Sequence, residues 1–180
     1  MFTTPLRQIQ WPADKKVPMS RRMTAILFVC LGNICRSPLA EGAMRHAAEA
    51  AGVAHRFTLD SAGCGGWHAG EPPDRRSVAC AARHGLDISS QRARQVTAED
   101  FDAFDLILGL DRDNVRHLTR LQPPGSRARI ALYLEEAQNL LGNIGRAKDV
   151  PDPYYGDDRD FEAVFALCAE ASAVLVKHLT

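Results

Sequence analysis

The chain has 180 residues, enough for one domain with a full core, and its hydrophobic share of 46% is ordinary. Twenty-two basic and 22 acidic side chains cancel, which removes the global field expected of a nucleic-acid or membrane-surface binder. Five cysteines, an odd number without framework spacing, and no apolar run near the ~20 residues of a membrane span point to a reducing cytoplasm.

Residues 1–22 hold three prolines, show no sustained periodicity and end in a basic pair. They read as a flexible N-terminal arm, with residues 23–180 as a single domain and Met23 as a second candidate start. Ile26 to Val29 reads as a buried strand, Cys30 to Arg36 as a tight loop, and Ser37-Pro38 as the opening of a helix. Proline suits the first helical position, where its missing N–H would be orphaned anyway. Leu39, Ala40, Ala43, Met44, Ala47, Ala48 and Ala51 follow at helical spacing, and Gly52 supplies a C-terminal stop. Residues 56–61 alternate as a second strand and lead into the glycine-rich loop 62–70 around Trp67.

Pro73-Asp74 opens a helix with Val78, Ala81 and Ala82 inward and Gly85 at its end. Residues 105–110 form a third strand, apolar enough to be covered on both faces. Asp111 caps a helix carrying Val115, Leu118 and Leu121, which stops at Pro123-Pro124. A fourth strand spans 128–133, residues 135–149 are poorly patterned and read as a short helix and a loop, and Asp158 opens a long terminal helix with Phe161, Val164, Phe165, Cys168, Ala171, Leu175 and Leu179 on one side. Alternating strands and helices predict an α/β fold, a parallel sheet with helices on both faces and a ligand site beyond the strand C-termini.

Cys30 lies at such a C-terminus, and Cys30 and Arg36 make the pattern C-x₅-R. A loop over a helix N-terminus gathers backbone N–H groups and the positive end of the helix dipole, which is an anion cradle. The same field favours a thiolate, and an arginine fork holds two phosphate oxygens at once. Gly32 and Asn33 suit the left-handed backbone that the turn needs. A second stretch, D-V-P-D-P-Y-Y-G-D-D, clamps Asp152 between Pro151 and Pro153, with Tyr154 and Tyr155 expected to bury it.

Together these stretches are specific. V-C-L-G-N-I-C-R-S-P-x-A-E at 29–41, S-A-G-x-G-G-W-H at 61–68, G-E-P-P-D at 70–74, H-G at 84–85, A-R-Q at 93–95, D-L-I-L-x-x-D at 105–111 and D-P-Y-Y-G at 152–156 resemble the low-molecular-weight protein tyrosine phosphatases. The resemblance runs from about Thr24 to the C-terminus. It implies a three-layer sandwich with a four-stranded parallel sheet and hydrolysis of protein phosphotyrosine through a phosphocysteine, without metal or cofactor. Cys30 would be the nucleophile, Arg36 and the N–H groups of Leu31, Gly32, Asn33, Ile34, Cys35 and Arg36 the phosphate holders, and Asp152 the general acid. Ser37 would steady the thiolate. Ser61 and His84 would support Asn33, with Glu41 near His84, and Asp111 would be a supporting acid. Trp67, Tyr154 and Tyr155, with Leu31 and Ile34, would line the aromatic slot. Partners would be tyrosine-phosphorylated proteins, a bacterial tyrosine kinase of envelope polysaccharide synthesis among them by analogy, with no nucleic acid and no membrane.

Cys30 and Cys35 share one small loop, which predicts a reversible oxidative switch, and Cys64 is placed at a redox-sensitive rim. Arg92-Ala93-Arg94 reads as a solvated loop ahead of the alternative, a basic stretch that steers acidic substrates. A thioredoxin-linked arsenate reductase would need relay cysteines; Cys80 lies in a suitable region, but Asp87 stands seven residues on, and Pro38 replaces the Gln usual after R-S. A phosphotyrosine-binding module would need neither Cys30 nor Asp152, and a zinc site through Cys30 and Cys35 lacks a second ligand pair.

Overall fold

In the computed structural model, which describes residues 23–141 and 149–180, the apolar run after Met23 becomes β1 (Thr24–Cys30), fully buried over its last five residues. It is central because only a strand covered on both faces tolerates such a run. The other strands are β2 (Phe57–Gly63), β3 (Leu106–Gly109) and β4 (Arg129–Leu132). They pair in parallel in the order β2-β1-β3-β4. Helices α1 (Arg36–Ala50), α2 (Arg75–Arg83), α3 (Asp100–Ala103), α4 (Arg112–Leu121), α5 (Tyr133–Leu141) and α6 (Asp158–Leu179) cover it.

Side chains alternate between the faces of β1, so it feeds two cores. Ile26, Phe28 and Cys30 pack with Leu39 and Met44 of α1, Tyr133 of α5, and Phe161 and Leu175 of α6. Leu27 and Val29 pack on the other side with Phe101 of α3, Ile107 of β3 and Leu118 of α4. The expected three-layer sandwich is thus observed. The chain leaves β1 toward β2 on one side, while β3 pairs on the other, so the C-terminal end of β1 is the topological switch point at which ligands of such sheets bind. Among the described residues no helix is long and apolar enough to cross a membrane.

Some local expectations are corrected. The fourth strand ends at Leu132, and Tyr133 instead begins α5, where its hydroxyl donates to Cys168 O or bonds Ser172 Oγ within the core. The short helix expected after this strand therefore starts earlier than position 135, with Tyr133, Leu134, Ala137 and Leu140 at helical spacing. Ala82 is exposed, and Ser77 and Cys80 are buried in its place. Asp158 opens α6 as expected, and Asp157 before it is the cap. The arm 1–22 and residues 142–148 of the poorly patterned segment lie outside the described residues.

Candidate active site

The turn from β1 into α1 is built around Asn33, which is 1% exposed and takes φ +57°. Asparagine tolerates this left-handed angle better than other residues with a Cβ, and here its backbone N–H and both side-chain polar atoms are used. Its backbone N–H donates to Cys30 Sγ at 3.2 Å, and Nδ2 donates to Ser37 Oγ at 2.9 Å and Ser61 Oγ at 3.0 Å. Its Oδ1 accepts from Arg94 N–H at 2.9 Å. The end of β2 closes over the same loop. A Cβ on Gly63 would meet Gly65 O at 2.8 Å and Leu31 O at 3.0 Å, so only glycine allows that approach.

Cys30 Sγ lies 3.1 Å from Ser37 Oγ at the bottom of the loop. Helix α1 starts beneath it without any capping side chain and with no acid in its first turn. Among the described residues, the N–H groups of Leu31, Gly32, Ile34 and Cys35 have no intramolecular partner. This is the unneutralised positive end of a helix, with orphan donors next to a sulfur atom.

Arg36 is nearly buried and tied on three sides. Nη1 donates to Asp111 Oδ2 at 2.5 Å and to Val150 O at 3.2 Å, and Nη2 donates to Asp152 Oδ2 at 2.8 Å. Burial disfavours its charge, but the charges of Cys30, Asp111 and Asp152 outweigh that and leave the guanidinium more firmly protonated than usual. Nε–H and one Nη2 hydrogen remain without a partner among the described residues. Asp152, carried by the loop before α6, also accepts from Tyr154 N–H through Oδ1 at 3.1 Å. It is not buried by the tyrosines: its side chain is 44% exposed, and the two rings pack edge-on against each other at 5.0 Å.

Cys30, Arg36 and Asp152 meet in a cleft of about 230 Å³ that Trp67, Tyr154 and Tyr155 also line. Trp67 is 71% and Tyr155 98% exposed, so these rings form walls open to an entering group. Leu31, Gly32, Ile34 and Cys35 line the same cleft, as does His68, which no local pattern marks as a site residue. Its ring nitrogen Nδ1 lies 2.8 Å from Glu71.

The support behind the loop differs from expectation in one respect. Ser61 Oγ donates to Glu41 Oε2 at 2.8 Å, and Glu41 is in turn held by Arg45. His84 takes no part: its Nε2 bonds Glu162 at 2.7 Å and its ring stacks on Phe165. The end of α2 is carried toward α6, away from Asn33. Two supports went unseen in the sequence. Arg94 is not solvated; it bonds Asp60 and both oxygens of Asp100 while its N–H holds Asn33. Ser77 of α2 donates to Cys35 O at 3.5 Å. Cys64 is also corrected: it is buried on the opposite face of the sheet, with its thiol pushed up to about 12 by burial first and then by Cys30 and Asp111.

Comparison with known proteins agrees with this geometry. The profile of the family described as "Low molecular weight phosphotyrosine protein phosphatase" matches residues 25–180. A low molecular weight phosphotyrosine protein phosphatase of Sus scrofa is 42% identical over 166 residues, covering 89% of this chain and 99% of that protein. A protein tyrosine phosphatase of Entamoeba histolytica, solved with Hepes in its active site, superposes with TM-score 0.78 at 32% identity over 87% of this chain and 96% of that one. The YfkJ protein of Bacillus subtilis superposes with TM-score 0.75 at 34% identity over 88% and 98%. With a cysteine and an arginine at either end of the loop between β1 and α1, this chain belongs to the low-molecular-weight phosphotyrosine protein phosphatases, metal-independent phosphomonoesterases that hydrolyse protein phosphotyrosine through a phosphocysteine.

Proposed function

We propose that Cys30 is the nucleophile, Arg36 the phosphate clamp and Asp152 the general acid and base of this hydrolysis. The observation that carries the assignment is the bare N-terminus of α1, with Cys30 Sγ over it and Arg36 oriented beside it. The free N–H groups of the loop and the unused hydrogens of Arg36 take the three equatorial oxygens of the phosphoryl group. Phosphate binding takes over the Arg36 fork, which releases Asp152 Oδ2 from its resting ion pair toward the leaving oxygen.

Cys30 Sγ then attacks phosphorus and the P–O bond to the phenol breaks, the departing oxygen taking the proton of Asp152. In the second half, Asp152 accepts a proton from water as that water attacks phosphorus. The S–P bond breaks, and the returning thiolate is met by the Ser37 hydroxyl and the Asn33 N–H. The exposed walls Trp67, Tyr154 and Tyr155 receive the aromatic ring. Depth favours phosphotyrosine over phosphoserine, whose shorter side chain leaves phosphorus short of the sulfur.

Asp152→Ala tests the acid. It should slow phosphocysteine formation by roughly 10²–10⁴-fold, more severely for alkyl-substituted phenols than for nitrophenol, measured over a series of phenyl phosphates. An equal loss across the series assigns the proton transfer to another group, with Asp111 next in line.

The enzyme's cellular setting is part of the same proposal. Residues 23–180 act as a single catalytic domain in the cytoplasm, supported by five cysteines that are all free thiols. A tyrosine-phosphorylated bacterial kinase is the proposed partner by analogy alone. Peroxide is proposed to convert Cys30 to a sulfenic acid that Cys35 Sγ closes to a disulfide with loss of water. The Cys35 thiol is pushed up to about 12, by burial first and then by Asp74 and Cys30, so closure should accelerate as pH rises. Peptide mapping of the oxidised protein decides this, and a Cys30 sulfonic acid with Cys35 untouched refutes it.

A further inference from the structure

Away from the cleft, the end of α2 meets the first turns of α6 at a group of side chains that catalysis does not use. Cys80 Sγ, a ring nitrogen of His84 and a carboxylate oxygen of Glu162 all lie within 4.8 Å of one another. Cys80 and His84 stand four residues apart and so share one side of the helix end, and Glu162 faces them from α6. We propose that Cys80, His84 and Glu162 form a binding site for a thiophilic divalent cation of the Zn²⁺ type, which clamps α2 to α6.

The donor chemistry fits. Thiolate, imidazole and carboxylate are the usual zinc ligands, and bonds of about 2.0–2.3 Å in a tetrahedron place donors roughly 3.3–3.8 Å apart. His84 Nε2 and Glu162 Oε2 are now 2.7 Å apart, so inserting an ion opens that pair while Cys80 closes on it. Two of the ligands are already oriented. The His84 ring is stacked on Phe165 with centroids 4.1 Å apart, and Glu162 Oε1 is held by Arg83 Nε at 2.6 Å, leaving Oε2 for the metal. Such outer contacts fix ligand orientation. His84 and Glu162 are partly exposed while Cys80 is buried beneath them, which gives the ion an entry side and leaves its fourth position to water.

Binding is a ligand exchange without redox change. The Cys80 S–H proton passes to solvent as the S–Zn bond forms. The hydrogen bond between His84 Nε2 and Glu162 breaks as the Nε2 proton is given up to solvent, and the metal-bound ring keeps one proton, on Nδ1. A cysteine ligates as the thiolate, so proton release accompanies uptake. The clamp reaches the phosphate loop through α2 itself, since Asp74 N–H donates to Ile34 O at 2.8 Å and Ser77 to Cys35 O.

The test uses the full chain carrying Cys30→Ser, so that the catalytic thiolate cannot compete. Titration calorimetry with Zn²⁺ should show one equivalent bound with a rise in Tm, and Co²⁺ should give a thiolate-to-cobalt charge-transfer absorption. Adding Cys80→Ser should abolish that absorption, and Cys80→Ser, His84→Ala or Glu162→Gln should each weaken Zn²⁺ binding by more than the ~10–100-fold typical of outer contacts. Glu162→Gln, at the surface, keeps the test valid where Cys80→Ser disturbs the core. No stoichiometric binding in the Cys30→Ser chain overturns the proposal. So does binding that survives Glu162→Gln and His84→Ala unchanged.

Discussion

Helices α2, α4 and α6 begin at an aspartate, and α1 does not. Asp74 accepts from Arg76 N–H at the start of α2. Asp111 forms a capping box with Asn114 on α4, and Asp157 forms one with Asp160 on α6. At α1 the corresponding residue is Cys35, which caps nothing, and the first turn carries Arg36 instead of an acid. A capped N-terminus has its orphan donors satisfied and its positive pole neutralised, which stabilises the helix by about 1 kcal/mol. An uncapped one gives up that stabilisation and keeps its field for a ligand. Asp111 serves both arrangements, since Oδ1 caps α4 while Oδ2 holds the arginine of the bare terminus.

The largest effect expected from breaking this contrast is at Cys30. Cys30→Ser removes the proposed nucleophile but leaves the uncapped backbone, so turnover should fall to background while inorganic phosphate still binds in a calorimetric titration. Residual turnover above background removes the nucleophile assignment.

A second variant would make α1 resemble the other helices. Cys35→Asp puts a carboxylate where the other three have theirs. A charge about 5 Å from the anion costs roughly 3 kcal/mol at an effective dielectric of ~20, or on the order of 100-fold in phosphate affinity. Cys35→Ser is the control for loss of the thiol and should bind phosphate as the parent does. Equal affinities in the two variants would mean that the helix end contributes little to anion binding.

The smallest effect is at a capped end. Asp74→Ala should lower stability by about 1 kcal/mol, read from thermal melts. The Asp74 carboxyl is held below its usual range, chiefly by hydrogen bonds from the Arg76 side chain. Its contribution is therefore present above the unfolded value near ~3.9 and is lost as pH falls through the lower folded one. The difference in Tm between parent and variant should stay level from neutral pH to about 5 and close on further acidification. A difference that persists at the lowest pH would mean that Asp74 acts by packing rather than as a charged cap.

The amino-acid sequence by itself determined the features that depend on neighbours along the chain. The apolar run of β1, the C-x₅-R loop, the Pro-flanked Asp152 and the Asp111 cap all follow from local backbone chemistry and short-range spacing. They were enough to indicate a parallel sheet with a phosphate site at the end of β1. Tertiary structure alone decided which side chains from distant segments meet. Glu41 rather than His84 lies behind Ser61, Arg94 rather than a solvent molecule holds Asn33, and Asp152 rests in the open on Arg36. The physical reason is rotational. Periodicity shows which stripe of a helix is buried, but the angle at which α2 docks on α6 sets whether His84 points to the phosphate loop or to Glu162. That angle comes from the fit of Phe161, Phe165 and Cys80 in a shared core, which no short stretch of sequence contains.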